Sequence, residues 1–242
     1  HPRTGMDHWE TAAISAASAR QRQGRAGRLG PGGCLRWYPS TEPRRSFSPP
    51  EIREADLAPL VLETALWGAS SPLALTWLTP PPAGALNQAT ALLAQLGLID
   101  GQGRITAAGR RAAALGLHPR LGRMVLQAAE SGWLATAAVT AALLEEGDPL
   151  AGSDPDFRDR LTAWAAWTAG AQSSLRPDAG RRITREAERI LRLAGAGGRA
   201  IRGADVDPAL AGRLLLRAYP DRAAQRVGSG ASGTARLVLA SG

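Results

Sequence analysis

The chain has 242 residues, and its 29 basic residues, every one an arginine, outnumber 21 acidic ones to give a net charge of +8. A basic surface draws polyanions, so nucleic acid is the first partner to weigh. One cysteine and three scattered histidines exclude a disulfide framework and a close-spaced zinc site, and no run approaches the roughly 18 apolar residues of a helical membrane span.

Hydrophobic residues make up 44% of the chain but aromatics only 5%, so its cores must be built from Leu and Ala, the best helix formers. The polar N-terminus lacks the apolar core of a signal peptide, which makes a cytoplasmic protein the default. A first residue other than methionine, with a motif close behind it, reads as a piece of a longer protein.

Residues 1–13 open on Pro2 and Gly5 and read as a turn entering a short strand. Ser18 to Arg28 predicts a helix. Gln21, Arg25 and Arg28 are spaced i, i+4 and i+7 and would share one face of it. Each arginine carries a planar fork that matches a phosphate, and Gly24 and Gly27 leave the face uncrowded. A Gly/Arg run also reads as a solvated basic loop. Against that, Ile14, Ser15, Ala17 and Ser18 lead into the run as an ordered segment would, and an apolar stretch follows. Gly30-Pro31-Gly32-Gly33 must stop the helix. Cys34 to Tyr38 then reads as a strand, with Cys34 an inert buried thiol. Residues 39–50, rich in Pro, Ser and Arg, read as a linker.

Glu51 to Trp67 predicts a helix through Leu57, Leu60, Val61 and Ala65, ended by Gly68. Pro72 to Leu78 is a short helical turn, and Pro80 to Pro82 break the chain. Ala83 to Leu96 resumes the period through Leu86, Ala89, Leu93 and Leu96. Leu98 to Thr106 reads as two short strands about a Gly-containing turn, with Thr106 capping a helix from Ala107. Helix, helix and ribbon in this order resemble a winged-helix domain. His118 caps another helix, with Pro119 at its first position and Leu121, Met124, Val125 and Ala128 on its buried face. Helices near Trp133–Glu145, Pro155–Thr168 and Arg181–Leu193 make a bundle. Asp207 to Ala218 is a last helix, followed by a plain Gly/Ser loop from Gly228 to Gly233 and a strand from Arg236 to Ala240. Trp67, Trp77, Trp133, Trp164 and Trp167 fall in predicted helices and are expected in cores. Arg120, Arg123, Arg181, Arg182 and Arg185 are the candidate nucleic-acid contacts, weighed against the plainer reading of solvated helix-face charges.

The run Ile14-Ser15-Ala16-Ala17-Ser18-Ala19-Arg20-Gln21-Arg22-Gln23-Gly24-Arg25-Ala26-Gly27-Arg28 resembles the sixth signature motif of the DEAH-box helicases, I-S-x-x-S-A-x-Q-R-x-G-R-A-G-R, at every specified position. Pro50-Glu51-Ile52, Asp56-Leu57, Pro80 to Pro82, Leu96 to Asp100 and Gly103 to Thr106 fit the pattern that follows that motif. L-H-P-R-L (Leu117 to Leu121) and A-Y-P-D-R-x-A-Q-R (Ala218 to Arg226) resemble the bacterial HrpB subgroup.

The resemblance implies a mainly α chain. Residues 1–45 would end the second RecA-like α/β domain and 46–117 form the winged helix. Residues 118–200 would form the ratchet-like helical bundle that lines a nucleic-acid channel, and 201–242 begin a C-terminal region with a short α/β segment. It implies an ATP-dependent RNA helicase, with Gln21 at the γ-phosphate or attacking water, Arg25 and Arg28 as arginine fingers, and Arg22 assisting orientation. ATP would come with Mg²⁺ held by the missing N-terminal RecA-like domain of the same protein. RNA or single-stranded nucleic acid is the implied partner; no metal site of its own and no membrane are implied. The chain contains neither G-x-x-x-x-G-K-[ST] nor D-E-x-H, so it is expected to be inactive alone. The alternative is a non-enzymatic winged-helix nucleic-acid-binding protein, which has no need of a Gln/Arg/Arg face ahead of its wing.

Overall fold

The computed structural model describes residues 12–39, 41–69, 71–146, 149–150, 156–197, 200–229 and 235–239. Of the turn and strand expected over residues 1–13, all but the last two residues lie outside these; of the loop expected from Gly228 to Gly233, Gly230 to Gly233 lie outside, while Gly228 and Ser229 belong to a strand instead. The chain is mainly helical, as an Ala- and Leu-rich composition dictates. It divides into two compact units, one of His1–Leu57 with Leu73–Ala89, the other of Ala58–Pro72 with Thr90–Gly242.

In the first unit, helix α1 spans Ala16–Ala26. It starts two residues before the expected Ser18 because Ser15 is the cap, and it ends at Gly27, so Arg28 lies beyond it. Cys34 to Tyr38 does not form a strand. Cys34 is exposed, as are Leu35 at 86% and Trp37 at 95%. A strand exists through hydrogen bonds to a neighbour, and none of the described residues pairs with this segment. The helix expected from Glu51 to Trp67 is two pieces, a 3-10 turn at Glu51–Arg53 and helix α2 at Ala58–Leu66. Pro59 explains the break: it has no N–H, and its ring clashes with the carbonyl four residues back.

In the second unit, α2 buries Val61, Leu62, Thr64 and Ala65. It ends as expected at Gly68, whose φ of 91° opens the left-handed region. Ala69 N–H then reaches Thr64 O and Gly68 N–H reaches Ala65 O, which satisfies two terminal carbonyls. Trp67 is 76% exposed, not in the core. Two residues past Ala65 it sits about 200° round the helix axis, off the buried stripe.

Helix α3 (Ala83–Gln95) carries the expected period, and Gly97 follows its end. The ribbon after it is less regular than expected. Ile99 and Ile105 form a single antiparallel bridge rather than two strands, closed by Asp100 N–H donating to Arg104 O at 2.8 Å. Thr106 caps helix α4 (Ala107–Ala114) by accepting from Gly109 N–H at 3.0 Å. Gly109 lies so close to the ribbon that a Cβ there would sit 2.1 Å from the Leu98 carbonyl oxygen. Helix propensity alone favours Gly109→Ala by about 1 kcal/mol. The backbone clash wins: the variant is expected to be about 1–3 kcal/mol less stable, read as a lowered midpoint in chemical denaturation.

The bundle is built from α5 (Pro119–Glu130), α6 (Leu134–Glu146), α7 (Phe157–Thr168), α8 (Pro177–Leu193) and α9 (Ala211–Ala218). α5 packs against α4, α6 and α9, and α6 lies along α8. Met124, Val125, Val139, Leu161, Ile183, Ile190 and Leu214 are fully buried. Trp164 is buried as expected, and its Nε1–H donates to Thr184 Oγ1 at 3.2 Å. Trp77, Trp133 and Trp167 are half-buried.

α8 starts four residues before the expected Arg181, with Pro177 at its first position and Asp178 in its first turn. The last predicted helix is also stepped. Asp207 accepts from Ala209 N–H and caps a 3-10 turn at Pro208–Leu210, and α9 follows. Strands β1 (Ala224–Ser229) and β2 (Ala235–Leu239) then pair antiparallel.

Candidate functional site

The arginine motif rides on α1, and the chain that follows it holds the start of that helix. The first amides of a helix have no partner within it. Here all four are met: Ala16 N–H donates to Arg45 O at 2.9 Å, Ala17 N–H to Ser46 O at 3.0 Å and Ala19 N–H to Ser15 O at 2.9 Å. Ser18 N–H donates to the Ser15 hydroxyl at 3.1 Å, and Ser48 Oγ reaches that same hydroxyl at 3.3 Å. The segment expected as a linker is therefore docked in its second half. Arg44 adds a guanidinium that donates to Ile14 O at 3.1 Å and to Glu42 at 2.6 Å, with its carbon 3.6 Å from the Tyr38 ring centroid. Composition concealed this, since Pro, Ser and Arg mark linkers and docked capping segments alike.

The other end of α1 faces solvent. Gln21, Arg22, Arg25 and Arg28 are all exposed. Gln21 and Arg25 lie one helical turn apart on α1, and Arg28 follows in the turn, its N–H donating to Arg25 O at 3.4 Å. Arg36 donates to Gln23 Oε1 at 2.6 Å, tying the extended segment to the helix. Gly32 closes the turn; a Cβ there would lie 1.9 Å from the Ala26 carbonyl oxygen, so no other residue fits. Among the described residues no carboxylate pairs with Arg22, Arg25 or Arg28. Exposed guanidinium forks beside an amide fit an anion with several equatorial oxygens, such as a terminal phosphate. Among the described residues no group of three or more His, Cys, Asp or Glu could hold a metal ion.

The five arginines expected at nucleic acid separate in the structure. Arg120 is 6% exposed, which corrects its reading as a surface contact. Its guanidinium grips Asp221 with two bonds, NH1 to Oδ1 at 2.5 Å and NH2 to Oδ2 at 2.9 Å, and NH1 also donates to Ala218 O. Burial raises the Asp221 pKa, but the hydrogen bonds and charge of Arg120 outweigh it and hold the carboxyl below its ordinary value. Tyr219 lies beneath both Arg120 and Arg222, 5.1 and 4.5 Å from its ring centroid. Burial raises the Tyr219 pKa, so it stays a neutral phenol. L-H-P-R-L and A-Y-P-D-R, far apart in sequence, thus meet through one ion pair.

Arg123 is half-buried on α5. Arg181, Arg182 and Arg185 are exposed on α8; Arg181 pairs with Asp178, and Arg182 pairs with Glu146 at 2.5 Å. Arg182, Arg185, Arg189 and Arg192 line an open groove of about 500 Å³ with Glu145 and Glu146 of α6. Their spacing of i, i+3, i+7 and i+10 puts them on one helix face. That periodicity was available in the sequence and identifies Arg189 and Arg192 as members of the stripe.

No known protein-family profile matches the chain. It is 36% identical over 231 residues to the ATP-dependent RNA helicase HrpB of Escherichia coli, a match covering 94% of this chain and 26% of that protein. It is 36% identical over 134 residues to the pre-mRNA-splicing factor ATP-dependent RNA helicase prp22 of Schizosaccharomyces pombe, covering 54% of this chain and 12% of that one. Crystal structures of Escherichia coli HrpB, described as a DExH-box NTPase and as a DEAH/RHA helicase, superpose with TM-scores of 0.69 and 0.73. Sequence identities in those superpositions are 35% and 34%, each covering 98% of this chain and 26% and 27% of theirs. The chain thus spans about a quarter of the length of HrpB. Over nearly all of its own length, it is homologous to HrpB and belongs with the C-terminal region of the DEAH-box helicases.

Proposed function

We propose that this chain is the C-terminal part of an ATP-dependent RNA helicase and supplies the arginine-finger half of its ATP site. The observation that carries the reading is the end of α1: Gln21, Arg25 and Arg28 exposed, with no described carboxylate on the arginines, on a helix held firmly at its other end. Phosphoryl transfer spreads negative charge over the equatorial oxygens of the terminal phosphate, where a guanidinium stabilises it. Arg25 and Arg28 take that role, Gln21 orients the γ-phosphate or the attacking water, and Arg22 assists orientation. Mg²⁺ neutralises the phosphates when bound, and its ligands belong to an N-terminal RecA-like domain of the same protein.

In this reading residues 1–45 end the second RecA-like domain and 46–117 form a winged helix. Residues 118–200 form the ratchet-like bundle and 201–242 begin the C-terminal region. Arg123, Arg181, Arg182 and Arg185 meet the backbone of single-stranded RNA, and the protein works in the cytoplasm. Nonspecific strand binding of this kind relies on a basic groove and falls steeply with salt. A half site makes a sharp prediction. The 242-residue chain alone, mixed with ATP, Mg²⁺ and single-stranded RNA, is expected to release no phosphate above background, while the full-length protein does. Turnover by the chain alone would overturn the division of the site.

A further inference from the structure

Arg44 is the side chain that ties the segment after the motif to Ile14, just ahead of the cap of α1. Its side chain is only 11% exposed, and a cation so buried needs fixed partners. It has three: the Ile14 carbonyl, the Glu42 carboxylate and the face of Tyr38. Its Nε is buried without a hydrogen-bond acceptor, so the ring and the two terminal nitrogens define its place. A lysine has neither the plane nor the fork to repeat this arrangement. Ile14 immediately precedes the cap of α1, and the residues after Arg44 take the first two amides of that helix.

We propose that Arg44, stacked on Tyr38, is a positioning residue that aims Arg25 and Arg28, an inference that rests on the arginine-finger reading above. The lever is long. From Ala16 to Arg25 the helix rises roughly 14 Å, so a tilt of about 10° at the held end swings Arg25 by about 2 Å. A misplacement of about 1 Å can cost about 10²-fold in rate. Glu42 balances the charge of the clamp, bonding one terminal nitrogen while the guanidinium carbon stays 3.6 Å over the Tyr38 ring.

The test uses the full-length protein and steady-state ATP hydrolysis with saturating single-stranded RNA. Arg44→Ala and Arg44→Lys are each expected to lower kcat by about 10- to 100-fold, with KM for ATP and RNA affinity unchanged and, since Arg44 has partners to lose, a melting temperature only modestly lowered. Tyr38→Phe, which keeps the ring, is expected to hold the parent rate, whereas Tyr38→Ala follows Arg44→Ala. A parent kcat in Arg44→Lys would overturn the proposal, because bare charge would then suffice. So would a kcat loss that disappears when hydrolysis is measured well below the melting transition of each variant, which marks a merely structural role. Arg25→Ala in the same series separates the two ideas. If it leaves hydrolysis intact, the arginine-finger reading fails. If it abolishes hydrolysis while the Arg44 variants keep the parent kcat, the positioning role alone fails.

Discussion

Replacing Arg25 with alanine in the full-length protein is expected to cut RNA-stimulated ATP hydrolysis by about 10³-fold or more, the range for loss of an arginine finger. RNA affinity should stay close to the parent value, because on the proposed reading the lost group meets the terminal phosphate of the nucleotide rather than the RNA strand. Arg25 is exposed in the last turn of α1. Its removal leaves no buried partner unpaired, so the fold has no reason to weaken. The split between kcat and stability is the diagnostic. Single-turnover hydrolysis with saturating ATP reports the chemical step directly. Arg25→Lys is expected to recover little, since an ammonium cannot address two equatorial oxygens at once. Unchanged hydrolysis in Arg25→Ala would refute the assignment.

The second large effect is on stability. Asp221→Ala is expected to cost about 3 kcal/mol, because it strands the buried Arg120 charge. The figure sits at the low end for a buried pair because the Asp221 side chain is 30% exposed, against 7% for Arg120. The Arg120→Met, Asp221→Leu double variant is expected to recover most of the loss, since an apolar pair of similar volume avoids desolvating either charge. A denaturation cycle over the single and double variants measures the coupling. The same pair sets a pH dependence. The Asp221 carboxyl is held below its ordinary value in the fold. Its contribution is therefore fully present above about pH 4, the unfolded value, and fades as pH falls through the lower folded value. Acid titration of the parent should show that loss, and Asp221→Ala should lack it.

Much of the helical order was legible because it is local. Leu121, Met124, Val125 and Ala128 on α5, and Ile183, Ala187 and Ile190 on α8, repeat at helical spacing and are buried. Thr106 and His118 stand at caps that their side chains fill. The failures have equally local causes. Pro59 divides a run whose apolar spacing looked continuous. Cys34 to Tyr38 has strand chemistry, but a strand depends on a neighbour that no single segment encodes. At the candidate site, the exposure of Gln21, Arg25 and Arg28 was legible in the polar run that carries them. The burial of Arg44 was not, because its contacts to Ile14 and Tyr38 appear only when the chain folds back. Arg120 misled for the same reason: its partner is a hundred residues away.

The way α1 begins limits how this lobe can recognise an anion. Many nucleotide folds lay a phosphate against the bare amides opening a helix, letting peptide dipoles do the binding. Here those amides are already engaged by the Arg45 and Ser46 carbonyls and by Ser15. In the proposed site, recognition would therefore fall to the exposed side chains at the opposite end of α1, a contact that can be made and broken without rebuilding the backbone.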